Sequence, residues 1–214
     1  MNKLSVAFLA LALCLAFPAL ASAKRDVGPG TCGLDAIHVK EELQQMKMLV
    51  KVKGRCIGPA AAQSIVAFQK YRFLSRTGVV TPAVRAQLKN AKRPNFKVKR
   101  RSGSATRMEV WLQRQLLVVI RNDRIQRIIP ISSGKPGYST PAGTFSVFRK
   151  ELNSWSYPYS VWLPWASYFN GGIAFHESDS VPGYPASHGC VRIPAASARY
   201  AYRFADYGRK VLVR

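Results

Sequence analysis

The spacing of apolar side chains changes once along this chain, and the change divides it in two. Between Asp35 and Ala91, apolar residues return every three or four positions, as one face of a helix requires. Ile37, Val39, Leu43, Met46 and Val50 form a first set, and Ala61, Ile65 and Phe68 a second, with Arg72 at the edge of its stripe. Thr81 as N-cap and Pro82 at the first helical position open a third, carried by Val84, Leu88 and Ala91. From Met108 onward the period drops to two: Met108, Val110 and Leu112 alternate with Glu109, Trp111 and Gln113. The run 116-LLVVI-120 then leads through a turn at Asn122-Asp123 into 125-IQRIIPI-131. Further strands are expected at 144–148 and 211–213, and one helix at 195–205. The pattern predicts an α+β multidomain chain: a small three-helix bundle over 31–91, then a β-rich, β-sandwich-like domain over 105–214. Between them, 92-KRPNFKVKRRSGS-104 is basic, apolar-poor and broken by Pro94 and Gly103, which reads as an exposed linker.

The first 23 residues carry an early Lys3, an apolar run from Leu4 to Leu20 and an Ala21-Ser22-Ala23 ending, the pattern of a cleaved secretory signal peptide. The run falls short of the roughly 20 apolar residues that a spanning helix needs, so no stable membrane span is expected after cleavage. Export places the chain in the periplasm or cell wall, where thiols pair as disulfides. Outside the signal there are three cysteines, Cys32, Cys56 and Cys190. Cys32 and Cys56 lie in one segment and Cys190 far from both, so the simplest pairing joins Cys32 to Cys56 and leaves Cys190 free. A small helical core commonly gains from such a staple. The formal charge of +23 implies attraction to polyanions. For an exported chain these are anionic wall polymers or headgroups rather than nucleic acid.

The unpaired thiol sits in 186-ASHGCVR-192, and two of the three histidines lie close to it: His188 within that stretch and His176 in 171-GGIAFHES-178. His38, in the first helix among charged residues, reads as a surface group. A thiol with an ordinary pKa of about 8.5 is mostly protonated at neutral pH, and a neighbouring imidazole can take its proton. Gly189 permits unusual dihedrals, so that the N–H groups of Gly189 and Cys190 can converge on an oxyanion. Arg192 can bind a substrate carboxylate or pair with an acidic neighbour. Three plainer readings stand beside this one. Cys190 can be a small buried hydrophobe. His176, His188 and Cys190 can ligate zinc if Glu177 or Asp179 supplies a fourth ligand. His176-Glu177 can be a surface ion pair. The coincidence of histidines, glycines and the unpaired thiol within one short stretch favours a nucleophilic site.

The run 187-SHGCVR-192, the upstream 172-GIAFHES-178 and 133-SGKPGYSTPAGTFSV-147 together resemble the signature of L,D-transpeptidase catalytic domains, which remodel bacterial peptidoglycan. The resemblance covers about 106–214. It implies Cys190 as the nucleophile attacking the carbonyl of the L-residue before a D-residue in a stem peptide, with an acyl-thioester intermediate and no cofactor or metal. His176 would be the base, oriented by the backbone carbonyl of Glu177, and Ser187, His188, Gly189 and Arg192 would shape the oxyanion and substrate site. The family is also susceptible to carbapenems. Glu177 stands where Gly or Ser commonly follows the base, and only residues 177–186 separate His176 from Ser187, a short lid. The helical part, through 42-ELQ-44, Gly58, 65-IVAFQ-69, 77-TGVVTPAV-84 and Leu88, resembles the peptidoglycan-binding three-helix module, with 54-GRCIG-58 in place of its acidic-glycine turn.

Three functions follow from this reading: an L,D-transpeptidase forming cross-links or protein–wall attachments, an L,D-carboxypeptidase in which water takes the place of the acceptor amine, and a non-catalytic wall-binding protein.

Overall fold

The computed structural model describes residues 25–48, 51–92, 94 and 106–214. The signal-peptide reading of 1–23 and nearly all of the linker fall outside these residues. Three helices come first: α1 (Leu34–Gln45), α2 (Pro59–Arg72) and α3 (Pro82–Lys89). The N-cap expected at Thr81 is present, its hydroxyl accepting from the Val84 N–H at 3.3 Å. Cys32 and Cys56 form the expected disulfide. In α1 the inward positions are Ala36, Val39, Lys40 and Leu43, while Ile37 is only half-buried. The expected stripe is thus rotated, because Lys40 turns inward and its ammonium donates to the carbonyls of Lys53, Gly54 and Cys56 at 2.9, 2.6 and 3.3 Å. It thereby satisfies three acceptors of the loop that carries Cys56. Gln69 explains two of the quoted helical stretches together: its amide takes Thr77 Oγ1 and the Val79 carbonyl and accepts the Gly78 N–H, pinning the turn before α3.

Among the described residues nine strands follow, with one further α-helix. β1 (Arg107–Trp111), β2 (Leu116–Arg121), β3 (Arg124–Pro130), β4 (Gly143–Ser146) and β9 (Lys210–Val213) make a five-stranded mixed sheet in the order β3-β2-β1-β9-β4. β5 (Arg149–Ser156), β6 (Val161–Asn170), β7 (Ile173–Glu177) and β8 (Val191–Ile193) make a second, four-stranded sheet in that order, with β7 and β8 parallel. The helix α4 (Ala195–Phe204) packs on β7 and β6. Asn122 and Asp123 both take positive φ, 52° and 55°, the left-handed pair that closes a two-residue hairpin between β2 and β3.

The period-two reading of β1 implied one wet face, and the structure corrects this. All of Arg107, Met108, Glu109 and Val110 are buried. β2 shows why: Leu117 and Val119 face the core shared by the two sheets, whereas Leu116, Val118 and Ile120 join Ile65, Phe68 and Leu43 in the core of the helices. The helical part therefore covers the outer face of the first sheet, and the continuous run LLVVI is the signature of a strand buried on both sides. On β1 that outer face holds a buried ion pair, Arg107 to Glu109 at 2.8 Å, extended to Asp123 and Arg214. Polar bonds cross the same seam. The Ile128 N–H donates to the Lys47 carbonyl at 2.8 Å, and Arg114 from the β1–β2 turn donates to the Tyr71 carbonyl and lies 4.0 Å over the Phe73 ring. Among the described residues no helix is long and apolar enough to cross a membrane.

Candidate active site

β7 and β8 run parallel with His176 directly beside Arg192. Register partners in a parallel pair project to the same side, and so do residues two apart on one strand. His176, Arg192 and Cys190 therefore share one face, with Cys190 diagonal to His176 at about 8 Å between Cα atoms by strand geometry. All three line one cavity of about 960 Å³, roofed by the β5–β6 hairpin with Trp155, Tyr159 and Trp162. This is the half of the site that sequence spacing alone left open.

The imidazole is 7% exposed, and its Nδ1 lies 2.6 Å from the Glu177 carbonyl. A carbonyl only accepts, so Nδ1 carries the proton and Nε2 is left as the acceptor. Burial pulls the His176 pKa down to about 4, against the raising effect of the Glu177 bond and with a smaller lowering from Arg192. Burial likewise pushes the Cys190 thiol up, opposed by the Ala174 N–H and by Arg192. Cys190 Sγ lies 3.5 Å from the Ala174 N–H and 3.6 Å from the Gly172 carbonyl. The resting site is a neutral thiol beside a neutral imidazole. Cys190 is the free cysteine among the described residues, as the cysteine count requires.

The turn that presents Cys190 is fixed from several directions. Ser187 Oγ donates to the Cys190 carbonyl and accepts the Gly189 N–H at 3.1 Å. Thr140 Oγ1 donates to the Gly189 carbonyl at 2.7 Å and accepts the Gly134 N–H at 3.0 Å. The Lys135 N–H reaches the Ser187 carbonyl at 2.9 Å. Gly189 has φ 116°, a conformation open chiefly to glycine. Its N–H is committed to Ser187, so the expected convergence of the Gly189 and Cys190 N–H groups does not occur here. That leaves the Cys190 N–H as the oxyanion candidate of the pair. Ser187 braces the turn from a buried position, and its side chain points to the turn's own backbone.

The block 133–147 now has a physical reading. A Cβ on Gly134 would run into the Tyr138 carbonyl oxygen, and a Cβ on Gly143 would lie 2.9 Å from the Phe145 ring, which packs against Phe169. His188 is exposed and stands between two aromatic rings, stacked on Tyr159 at 4.6 Å and edge-on to Tyr138 at 4.8 Å. It is a wall of the cavity. Arg192 pairs with no carboxylate among the described residues, which leaves its guanidinium available to an anionic substrate group. No group of three of His, Cys, Asp and Glu gathers among the described residues.

Sequence reasoning did not single out Thr140, Tyr138, Tyr159 or the Trp155–Trp162 pair, whose rings meet at 5.1 Å across register. Thr140 and Tyr138 both lay inside a quoted block, which was their signal. Tyr159 and the two tryptophans come from the β5–β6 hairpin and carried none.

The L,D-transpeptidase catalytic domain model of the YkuD type matches residues 105–213. The chain belongs to this family. The crystal structure of an L,D-transpeptidase from Xylanimonas cellulosilytica is 30% identical, covers 90% of this chain and 98% of its own, and has a TM-score of 0.77. That coverage extends well beyond the catalytic domain, into the helical part. An L,D-transpeptidase from Stackebrandtia nassauensis shares the fold at 22% identity, covering 89% of this chain and 97% of its own, with a TM-score of 0.56. No curated protein matches the sequence. Peptidoglycan cross-linking is the role of the family to which the β-rich part of this chain belongs.

Proposed function

We propose that this chain is an exported L,D-transpeptidase that acts on peptidoglycan stem peptides through a Cys190 acyl-thioester. The observation that carries the reading is the pairing, on one face of β7–β8 inside one cavity, of the free thiol with an imidazole whose Nδ1 is fixed by the Glu177 carbonyl. Nε2 of His176 takes the Cys190 proton as Sγ bonds to the carbonyl carbon of the L-residue. The oxyanion that forms is met by the Cys190 N–H. Collapse breaks the L–D peptide bond, the His176 proton passes to the departing D-residue amine, and the thioester remains. An acceptor amine then loses a proton to His176, attacks the thioester and restores the thiol. Arg192 holds a carboxylate of the stem.

Export is supported by the Cys32–Cys56 disulfide, which an oxidising compartment favours. The charge of +23 supports retention on anionic wall polymers, and the resemblance of the helical part to a peptidoglycan-binding module supports contact with the wall.

Intact mass after exposure to a carbapenem tests the thiol: one adduct is expected on the wild type and none on Cys190→Ala. An unmodified wild type would sink the reading and favour a non-catalytic wall protein. Incubation with muropeptides, with and without an amine acceptor, separates transfer from hydrolysis. Release of the D-residue with no cross-linked product would reassign the chain as an L,D-carboxypeptidase.

A further inference from the structure

Lys70 lies in the last turn of α2 with no exposed surface and with no carboxylate partner among the described residues. A buried ammonium without a counter-charge is costly, and a Leu or Met at this place would avoid the cost. Burial, with Arg76 adding to it, draws its pKa down to about 7. What Lys70 holds lies across the seam: its Nζ donates to the Ile131 carbonyl at 2.7 Å and to the Pro182 carbonyl at 3.3 Å. Pro182 lies in the stretch 177–186 that joins His176 to the Cys190 turn.

The next two carbonyls of that stretch are also taken. Arg76, four residues after α2 ends, donates to the Gly183 carbonyl, and its side chain lies so close that a Cβ on Gly183 would be 2.9 Å from the Arg76 Cβ. Ser132 Oγ donates to the Tyr184 carbonyl at 2.7 Å. Ser132 follows Ile131 and exchanges backbone bonds with Arg192 at 3.1 and 3.0 Å, while the Ser133 carbonyl receives the N–H groups of Ala186 and Ser187 at 3.0 Å. Three consecutive carbonyls are thus held, two of them by the helical part. Their holders act on the same backbone that carries Ser187, Cys190 and Arg192.

We propose that Lys70 and Arg76 are positioning residues for the reaction, through which the helical part sets the 177–186 stretch and so the placement of Cys190 against His176. The inference rests on the proposed thiol chemistry. It gives the helical part a task in the chemical step, separate from any contact with the wall. The short lid suits it: a stretch of this length has little slack, and two anchors from outside fix it. Release of either anchor lets the Cys190 turn drift, and a displacement of about 1 Å at a reacting atom costs on the order of 100-fold in rate.

The test uses the full oxidised chain and carbapenem acylation of Cys190, read by intact mass over a range of drug concentrations. Melting temperature is measured in parallel, and all rates are taken well below it. For Lys70→Met the maximal acylation rate is expected to fall at least about 10-fold, with the half-saturating concentration little changed. Arg76→Gln is expected to do the same to a smaller degree, and Arg76→Lys, which keeps a donor, to recover the rate. Ser64→Ala is the control for stability alone, since among the described residues Ser64 Oγ serves only the Met48 and Ala60 carbonyls inside the helical part. It should lower the melting temperature and leave the rate intact. Wild-type rates in Lys70→Met and Arg76→Gln would overturn the inference, and so would a loss of rate in Ser64→Ala that matches theirs. If Lys70→Met does not fold, the two Arg76 variants decide it. A wild type that takes no adduct would instead remove the thiol chemistry on which the inference stands.

Discussion

The ionisation of the catalytic pair can be read from the rate at which Cys190 is alkylated as pH is varied. Burial pushes the thiol pKa above its ordinary value of about 8.5 and pulls the imidazole pKa down to about 4. Moving the proton from one to the other therefore costs at least about 6 kcal/mol before the new charges attract. Opposite charges as close as about 4 Å would recover only roughly 4 kcal/mol at an effective dielectric constant of 20. The thiolate–imidazolium pair is thus left uphill, a minor part of the population. Iodoacetamide reacts with thiolate, so its rate on the Cys190 peptide should climb about tenfold per pH unit between roughly pH 6 and 8. A preformed ion pair would instead give a fast plateau from about pH 5 to 8, and that result would refute the argument. His176→Ala supplies a second reading. It should reduce carbapenem acylation by about 10²–10⁴-fold while leaving alkylation at high pH largely intact, because only the first needs a base in the transition state. Acylation by the wild type should also slow in D2O, since the proton moves with the attack.

Three further outcomes follow from the fold. Replacing Cys32 and Cys56 by Ser removes a 24-residue cross-link worth about 3.4 kcal/mol, a drop in melting temperature of roughly 7–14 °C by calorimetry. Because Leu116, Val118 and Ile128 share the helical core, the loss should appear in a single transition, and a separate early transition would contradict the shared core. Gly134→Ala should abolish acylation, because a Cβ there also falls 2.7 Å from the Thr140 N–H and displaces the hydroxyl that holds Gly189; retained acylation would count against that brace. His176 is held neutral, its folded pKa lying below its unfolded 6.5, so its contribution to stability is complete above pH 6.5 and lost as pH falls to about 4. The loss is roughly 3 kcal/mol, and denaturant titrations of wild type and His176→Phe across that window should diverge by about this amount.

Much of this was legible because local chemistry carried it. The cysteine count identified Cys190, the change of period separated helices from strands, and Asn122-Asp123 marked its hairpin. The faces of the first sheet were not legible. Glu109 alternates with Met108 and Val110 as on a half-buried strand, and only the helices packed over it and Arg107 turn that face into an interior with an ion pair. Lys40 and Lys70 were invisible for the same reason: a lysine in a helix reads as solvated until the carbonyls that receive it arrive from distant segments. His188 sat beside the nucleophile in sequence, yet its ring belongs to a stack whose other members, Tyr138 and Tyr159, come from different loops. The Gly189 N–H illustrates the limit at the finest scale, since Ser187 is two residues away and its rotamer decides which donors an oxyanion can find.

The apolar outer face of the first sheet also bears on how such an enzyme can be handled. A polypeptide trimmed to the family-matched segment would expose Leu116, Val118, Ile120 and Ile128 in one contiguous patch, together with a row of strands inviting edge and face association. Inhibitor screens on such a fragment would meet a sticky, loosened target whose apparent drug resistance reflects the missing helices. For this chain, the smallest unit worth crystallising or drugging begins before Cys32.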